Sequence, residues 1–104
     1  MLRRLLLGAL VVLAVALSVS RWADGPATCG PVEGTLSADA RPTLSAEDAR
    51  AAALVAVPGA VVADVDLDDQ DGFLVYEVEL THGRADVEAV VDAGSGRVLC
   101  TERD

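Results

Sequence analysis

The chain has 104 residues, of which 17 are acidic and 8 basic, for a net charge of −9 at pH 7. That length holds one small core once any export segment is set aside. The acidic balance excludes nucleic acid as a partner, because phosphate binding needs a basic footprint.

Arg3 and Arg4 stand ahead of an apolar run at 5–19, and the run ends in the small-x-small series Ser18, Val19, Ser20. This is the order of a secretory signal cleaved after Ser20. The competing reading of 1–20 is an uncleaved membrane anchor helix, with Arg21 and Trp22 at the interface. The run is short for an anchor, since a spanning helix takes roughly 17 to 25 apolar residues. Both readings export the remainder, so the expected location is extracytoplasmic, either secreted or tethered to the outer face of the cytoplasmic membrane. Contact with the membrane is expected only through that segment, if it is retained.

Residues 21–43 are rich in Gly, Pro, Thr and Ser without hydrophobic period, and read as an irregular arm or linker. Cys29 is its one fixed point. Two cysteines in an exported chain can pair, which makes Cys29–Cys100 the one intramolecular bridge available. In the chain-entropy model such a loop is worth about 4 kcal/mol, and a core this small gains from a staple. A redox or metal role is disfavoured, because the two are far apart and form no C-x-x-C.

Ser45 is placed to cap a helix, with Glu47 and Asp48 in a first turn where the helix dipole favours negative charge. Pro58 and Gly59 end it. Ala49, Ala52, Ala53, Ala56 and Val57 make one apolar stripe, and its small side chains predict close approach to whatever the helix covers. Leu54 and Val55 fall off the stripe.

The rest alternates with period two. Val61, Ala63, Val65 and Leu67 share one face of a first strand, and Val62, Asp64, Asp66 and Asp68 the other. Past a turn at 69–72, a second strand sets Leu74, Tyr76, Val78 and Leu80 against Phe73, Val75, Glu77 and Glu79. Turns at 82–85 and 93–96 lead to a third strand with Val87, Ala89 and Val91 inward and a short fourth with Val98 and Cys100. Core residues must oppose core residues across antiparallel pairs. Pairing Asp68 with Phe73 puts Leu67 opposite Leu74, Val65 opposite Tyr76 and Ala63 opposite Val78. Pairing Thr81 with Asp86, and Asp92 with Arg97, sets Val78 against Ala89 and Ala89 against Cys100, which places Cys100 on the core side. The expected fold is α+β, one helix packed on a four-stranded antiparallel meander.

The helix opening Leu44-Ser45-Ala46-Glu47-Asp48-Ala49, its end Ala53-Leu54-Val55-Ala56-Val57-Pro58-Gly59, the strand Tyr76-Glu77-Val78-Glu79 and the hairpin Val91-Asp92-Ala93-Gly94-Ser95-Gly96-Arg97-Val98-Leu99 together resemble a PepSY domain. The resemblance spans 44–101 and leaves 102–104 as a tail. It implies a helix on an antiparallel sheet in an extracytoplasmic protein of the bacterial envelope. PepSY domains also occur in propeptides of thermolysin-like metallopeptidases, where an inhibitory role is proposed. The family has no catalytic residues to carry over. No peptidase follows the domain in this sequence, so any inhibition is expected to act on a separate protein. For Ser45, Pro58, Gly59, Tyr76, Val78, Asp92 and Gly96 the expected roles are structural. The Tyr76 ring fills space under the alanine helix while its hydroxyl reaches a polar edge. Gly94 and Gly96 suit a turn needing positive φ, and Asp92 opposite Arg97 closes it electrostatically.

No catalytic constellation is legible. His82, the one histidine, lies in a predicted turn, and no serine can be grouped with it and an acid, so no enzyme and no cofactor are expected. The run Asp64, Asp66, Asp68, Asp69, Asp71 invites a calcium reading. Aligning Gly72 with the glycine of an EF-hand loop, however, puts Leu67 and Val78 at its first and last ligand positions. No metal site is assigned; a solvated acidic strand is the plainer reading. The outer sheet face is more informative. Glu79 is expected opposite Glu88, beside Asp64, Asp66 and Glu77, with Val62, Val75, Val90 and Leu99 interspersed. Opposed like charges cost stability and clustered surface aliphatics mark interfaces. The expectation is a non-catalytic binding or regulatory module with a protein partner of basic character, a peptidase being one candidate. The alternative is a structural or cation-binding exported domain that uses its acidic face.

Overall fold

Ser45 starts the helix α1 (Ala46–Ala56) through a reciprocal capping box. Its hydroxyl accepts the Asp48 N–H at 3.2 Å, and the Asp48 carboxylate takes the Ser45 N–H at 3.1 Å. The backbone N–H of Ser45 and then its hydroxyl hold the Asp48 carboxyl below its usual range. The computed structural model to which these distances belong describes residues 29–104; the expected export segment at 1–20 and the start of the arm lie outside them. Val57 donates to the Ala53 carbonyl at 2.9 Å, and Pro58 with Gly59 at φ +83° ends the helix. Ala49 and Ala53 are fully buried, with Ala52 and Val57 half-buried beside them. Ala56 departs from the expected stripe and is exposed, while Leu54 packs at the core margin. A leucine reaches the core from the flank of the helix where a one-carbon side chain in the last turn does not. Val55 is 81% exposed.

Strands β1 (Val61–Gln70), β2 (Phe73–His82), β3 (Ala85–Asp92) and β4 (Val98–Arg103) form one antiparallel sheet in the order β1-β2-β3-β4. The α+β meander expected from the alternation is the fold. Its main core sets Ala49 and Ala53 of α1 against Leu74, Tyr76, Val78, Leu80, Ala89 and Val91.

The three hairpins depart from simple alternation in instructive ways. In the first, Asp71 (φ +53°) and Gly72 (φ +85°) make a two-residue turn between Gln70 and Phe73. Positive φ at both positions is what an Asp-Gly type I′ hairpin requires. This turn is tighter than the expected one, so Leu67 pairs with Tyr76 and Val65 with Val78. The slip is two residues and leaves the faces unchanged. Further along, Val62 pairs with Leu80 and Asp64 with Glu79, so Ala63 is an extra residue in a β-bulge. The bulge inverts the expected faces there. Val62 packs on the core, whereas Ala63 is exposed and Val61 is 65% exposed.

The second hairpin has the expected register, Thr81 with Asp86 and Val78 with Ala89. The third begins as expected with Val91 opposite Val98, then bulges at Leu99, so Cys100 pairs with Val90 instead of Ala89. One inserted residue turns Cys100 away from α1 and onto the opposite face of the sheet.

That displacement creates a second small core. Val32 of the arm, Val75 and Val90 are buried together, with Cys29, Leu99 and Cys100 packed against them. Cys29 and Cys100 form a disulfide, Cα to Cα 5.5 Å. The arm continues past it along the end of the sheet. Leu36 accepts the Leu74 N–H at 3.0 Å, Ala38 donates to Gly72 at 2.9 Å, and Thr43 and Leu44 donate to the Ala93 carbonyl at 2.9 and 3.1 Å. The bond from Leu74 occupies a backbone N–H of β2 that β3 leaves free once it ends at Asp92, and the others tie the arm to Gly72 and Ala93 in the flanking turns. Gly94 is needed for this approach and not for a special φ: a Cβ there would overlap Thr35 Oγ1 and lie 2.8 Å from Leu36 Cγ. Gly96, at φ +78°, is the turn residue that uses positive φ.

Candidate functional site

Strand alternation divides the carboxylates from the core, and register then lines them up. Asp64 lies opposite Glu79, Glu79 opposite Glu88, and Glu88 opposite Glu102, so each of the four strands contributes one carboxylate to a single row. Asp66 opposite Glu77 starts a second row beside it, which continues into Val90 and Cys100. The face is acidic toward the β2–β3 turn and apolar toward the disulfide.

The apolar half is not open to a partner. Val75 and Val90, expected on the docking face, are buried beneath Val32 and the disulfide. The bulge at Leu99 brings Cys100 to this face, and the bridge carries the arm over it. The arm therefore removes the cost of exposing these valines. Asp64, Asp66 and Glu79 are exposed, and Glu77 and Glu88 are half-buried. Glu102 is a member of the row that the sequence reading left in the tail. A period of two gave no signal for it, since continuing from the expected Cys100 it would place Glu102 on the core side; the bulge at Leu99 brings it to this face. Asp104 also joins this region, its N–H bonding to the Asp86 carbonyl at 2.9 Å.

Crowding shows in the protonation of these groups. Burial, then the charges of Glu102, Asp104 and Glu79, push the Glu88 carboxyl up. A hydrogen bond shared with Asp64, and then its charge, does the same to Asp66. For Glu77 the amide of Gln70, donating at 2.7 Å, pulls downward, but a hydrogen bond with Asp68, partial burial and nearby charge together carry it up. Asp68 is held down by that same bond. A carboxyl whose folded pKa is raised destabilises the fold when ionised, so this strain eases as pH falls through the raised value. Glu88→Gln is accordingly expected to raise stability at pH 7 by about 0.5 kcal/mol, measured as a higher urea midpoint. The advantage should vanish near about pH 4, where the native carboxyl is itself protonated.

A cleft of about 210 Å³ opens beside the middle of the row, lined by Glu79, Asp86, Glu88 and Asp104 along with Leu80 and Val87. Among the described residues, no group of three or more Asp, Glu, His or Cys side chains is arranged to hold a metal ion. The row runs across strands about 4.8 Å apart, whereas calcium ligands must converge on one point at about 2.4 Å. His82 is exposed at the end of β2, beside Gly59.

The remaining motif residues serve the fold. The Tyr76 ring is buried in the main core, and its hydroxyl donates to the Leu44 carbonyl at 2.7 Å where the arm enters α1. Val78 is fully buried. Asp92 differs from expectation. The residue is 1% exposed, and its carboxylate turns to the arm and not to Arg97, whose carbonyl accepts the Asp92 backbone N–H at 2.8 Å. The carboxylate accepts the Thr35 hydroxyl at 2.6 Å, the Thr35 N–H at 3.1 Å and the Ser95 N–H at 3.1 Å. Burial pushes this carboxyl up, but the hydrogen bonds from Ser95 and Thr35 outweigh it and hold the pKa at about 2.

The family described as "Peptidase propeptide and YPEB domain", PepSY, matches residues 43–102. That span holds α1 and nearly the whole sheet, including the acidic row. No curated protein and no solved structure matches the chain. Among the described residues, no helix is long and apolar enough to cross a membrane.

Proposed function

Because this chain belongs to the PepSY family, we propose that it works by binding, outside the cytoplasm, as a non-catalytic regulatory module whose acidic sheet face docks a partner of basic character. The observation that carries this reading is the row Asp64, Glu79, Glu88, Glu102, in which like charges oppose one another across every strand pair. Such a row costs stability in the free protein. A partner presenting arginine or lysine relieves that cost and gains long-range steering from the same field. The family description, which names a peptidase propeptide, supports a peptidase as the partner class. PepSY domains are typically extracytoplasmic, in keeping with an exported chain, secreted or tethered.

Reversing Glu77, Glu79 and Glu88 to lysine tests the docking face. Proteins that co-purify with the wild-type chain from an envelope extract should be lost from the triple variant, and their capture by the wild type should weaken as salt is raised. Partners retained by the variant at equal yield would remove the reading. The alternative, a cation-sequestering domain, is separated by a calcium titration, since specific binding must raise the melting temperature. No rise is expected from carboxylates strung along a line.

A further inference from the structure

We infer that β1 receives an extended partner segment as a fifth strand, and that this segment alternates basic with apolar residues. The inference rests on the acidic face being the docking surface and adds how the partner is held.

β1 is an outer strand of the sheet and is ten residues long, against six for β4 at the other edge. Its far side is unpaired among the described residues. Leu74 of β2 directs both its N–H and its C=O away from β1, to Leu36 and from Ala93 at 3.0 and 3.2 Å. In an antiparallel ladder that direction alternates along the strand. Phe73, Val75, Glu77 and Glu79 therefore bond to β1, through Gln70, Asp68, Asp66 and Asp64. Between them, Val65, Leu67 and Asp69 turn their N–H and C=O outward, where an added strand would find them.

The side chains define what can pair there. Asp64, Asp66 and Asp68 project on the acidic face, and Val65 and Leu67 on the other. Leu67 is 48% exposed and lies outside the core that α1 covers. A second copy of this chain continuing the sheet would set aspartate against aspartate on the same face, which is unfavourable. Edge strands are protected against self-pairing by charges and bulges of this kind. A segment with arginine or lysine beside the aspartates and aliphatics beside Val65 and Leu67 meets no such penalty. Main-chain bonds would supply affinity and the alternate side chains specificity.

The test uses the full, disulfide-bonded chain and ten-residue peptides. An Arg-Val alternating peptide is compared with a Glu-Val peptide and with two Arg-Val peptides N-methylated at every arginine or at every valine. The Arg-Val peptide should bind at least tenfold more tightly than Glu-Val. One N-methylated peptide should bind like its parent and the other at least tenfold more weakly, because only one edge of the added strand faces β1. Hydrogen exchange of the Val65, Leu67 and Asp69 amides should slow at least tenfold on saturation. Equal binding of both N-methylated peptides, with exchange unchanged, would overturn the fifth strand and leave the docking face standing. Failure of the Arg-Val peptide to bind more tightly than Glu-Val would overturn both. Amides already protected in the peptide-free chain would show the edge occupied and also overturn the inference.

Discussion

Replacing Cys29 and Cys100 together with serine should lower stability by about 4 kcal/mol, the largest effect expected of any change to this chain. The bridge closes a sequence separation of 71 residues, and a loop of that length loses much conformational freedom in the unfolded state. It also anchors a core of its own. Val75 and Val90 are buried under Val32 only while the arm stays on the sheet. The loss should therefore be uneven: amide exchange at Val75 and Val90 should rise more than at Val78 and Ala89, which lie under α1 or beside it in the main core. The urea midpoint gives the total and hydrogen exchange its distribution. An unchanged midpoint would mean that the Thr35 and Leu36 contacts hold the arm without the sulfur bridge.

Asp92→Ala is the second large effect, about 3 kcal/mol. The carboxylate is buried and serves Thr35 of the arm together with Ser95 and Gly94 of the β3–β4 turn. Its removal strands those donors and separates arm from turn. Asp92→Asn keeps one acceptor and should cost about half as much. The pH dependence carries a further signature. Asp92 titrates at about 2 in the fold against an ordinary value of 3.8. Its contribution is full above about pH 4 and is lost as pH falls toward about 2, amounting to about 2 kcal/mol. Glu88 and Asp66 have raised folded values and so act in the opposite direction over a higher range. In a urea series from pH 7 to 2, Asp92→Asn should flatten the acid limb that the wild type shows below pH 4. A limb of unchanged steepness would show that Asp92 keeps an ordinary pKa.

The two effects meet in the arm, the part of the chain read least well from sequence. Its polar, aperiodic composition suits a tether, yet residues 29–43 cap one sheet corner with Val32, bond to β2 through Leu36 and accept closure by Asp92. Val32 and Leu36 stand alone among polar neighbours, and isolated apolar residues carry no period to read. The acidic row was half legible. Glu79 opposite Glu88 follows from a hairpin whose register the alternation predicts, whereas Glu102 enters only because β4 slips at Leu99.

By itself, the amino-acid order determined the local elements: the Ser45 cap, the helix stop at Pro58 and Gly59, the four strands and the Thr81–Asp86 register. These depend on contacts between residues near one another in the chain, or on a period that every strand repeats. Only the tertiary structure decided the phase within β1 and β4. A bulge is a one-residue slip, invisible to a period-two pattern, and its gain arises elsewhere: Ala63 lets Val62 reach the core, and Leu99 turns Cys100 toward a cysteine 71 residues away. Which face is covered by the arm, and which is left acidic and open, follows from that second slip.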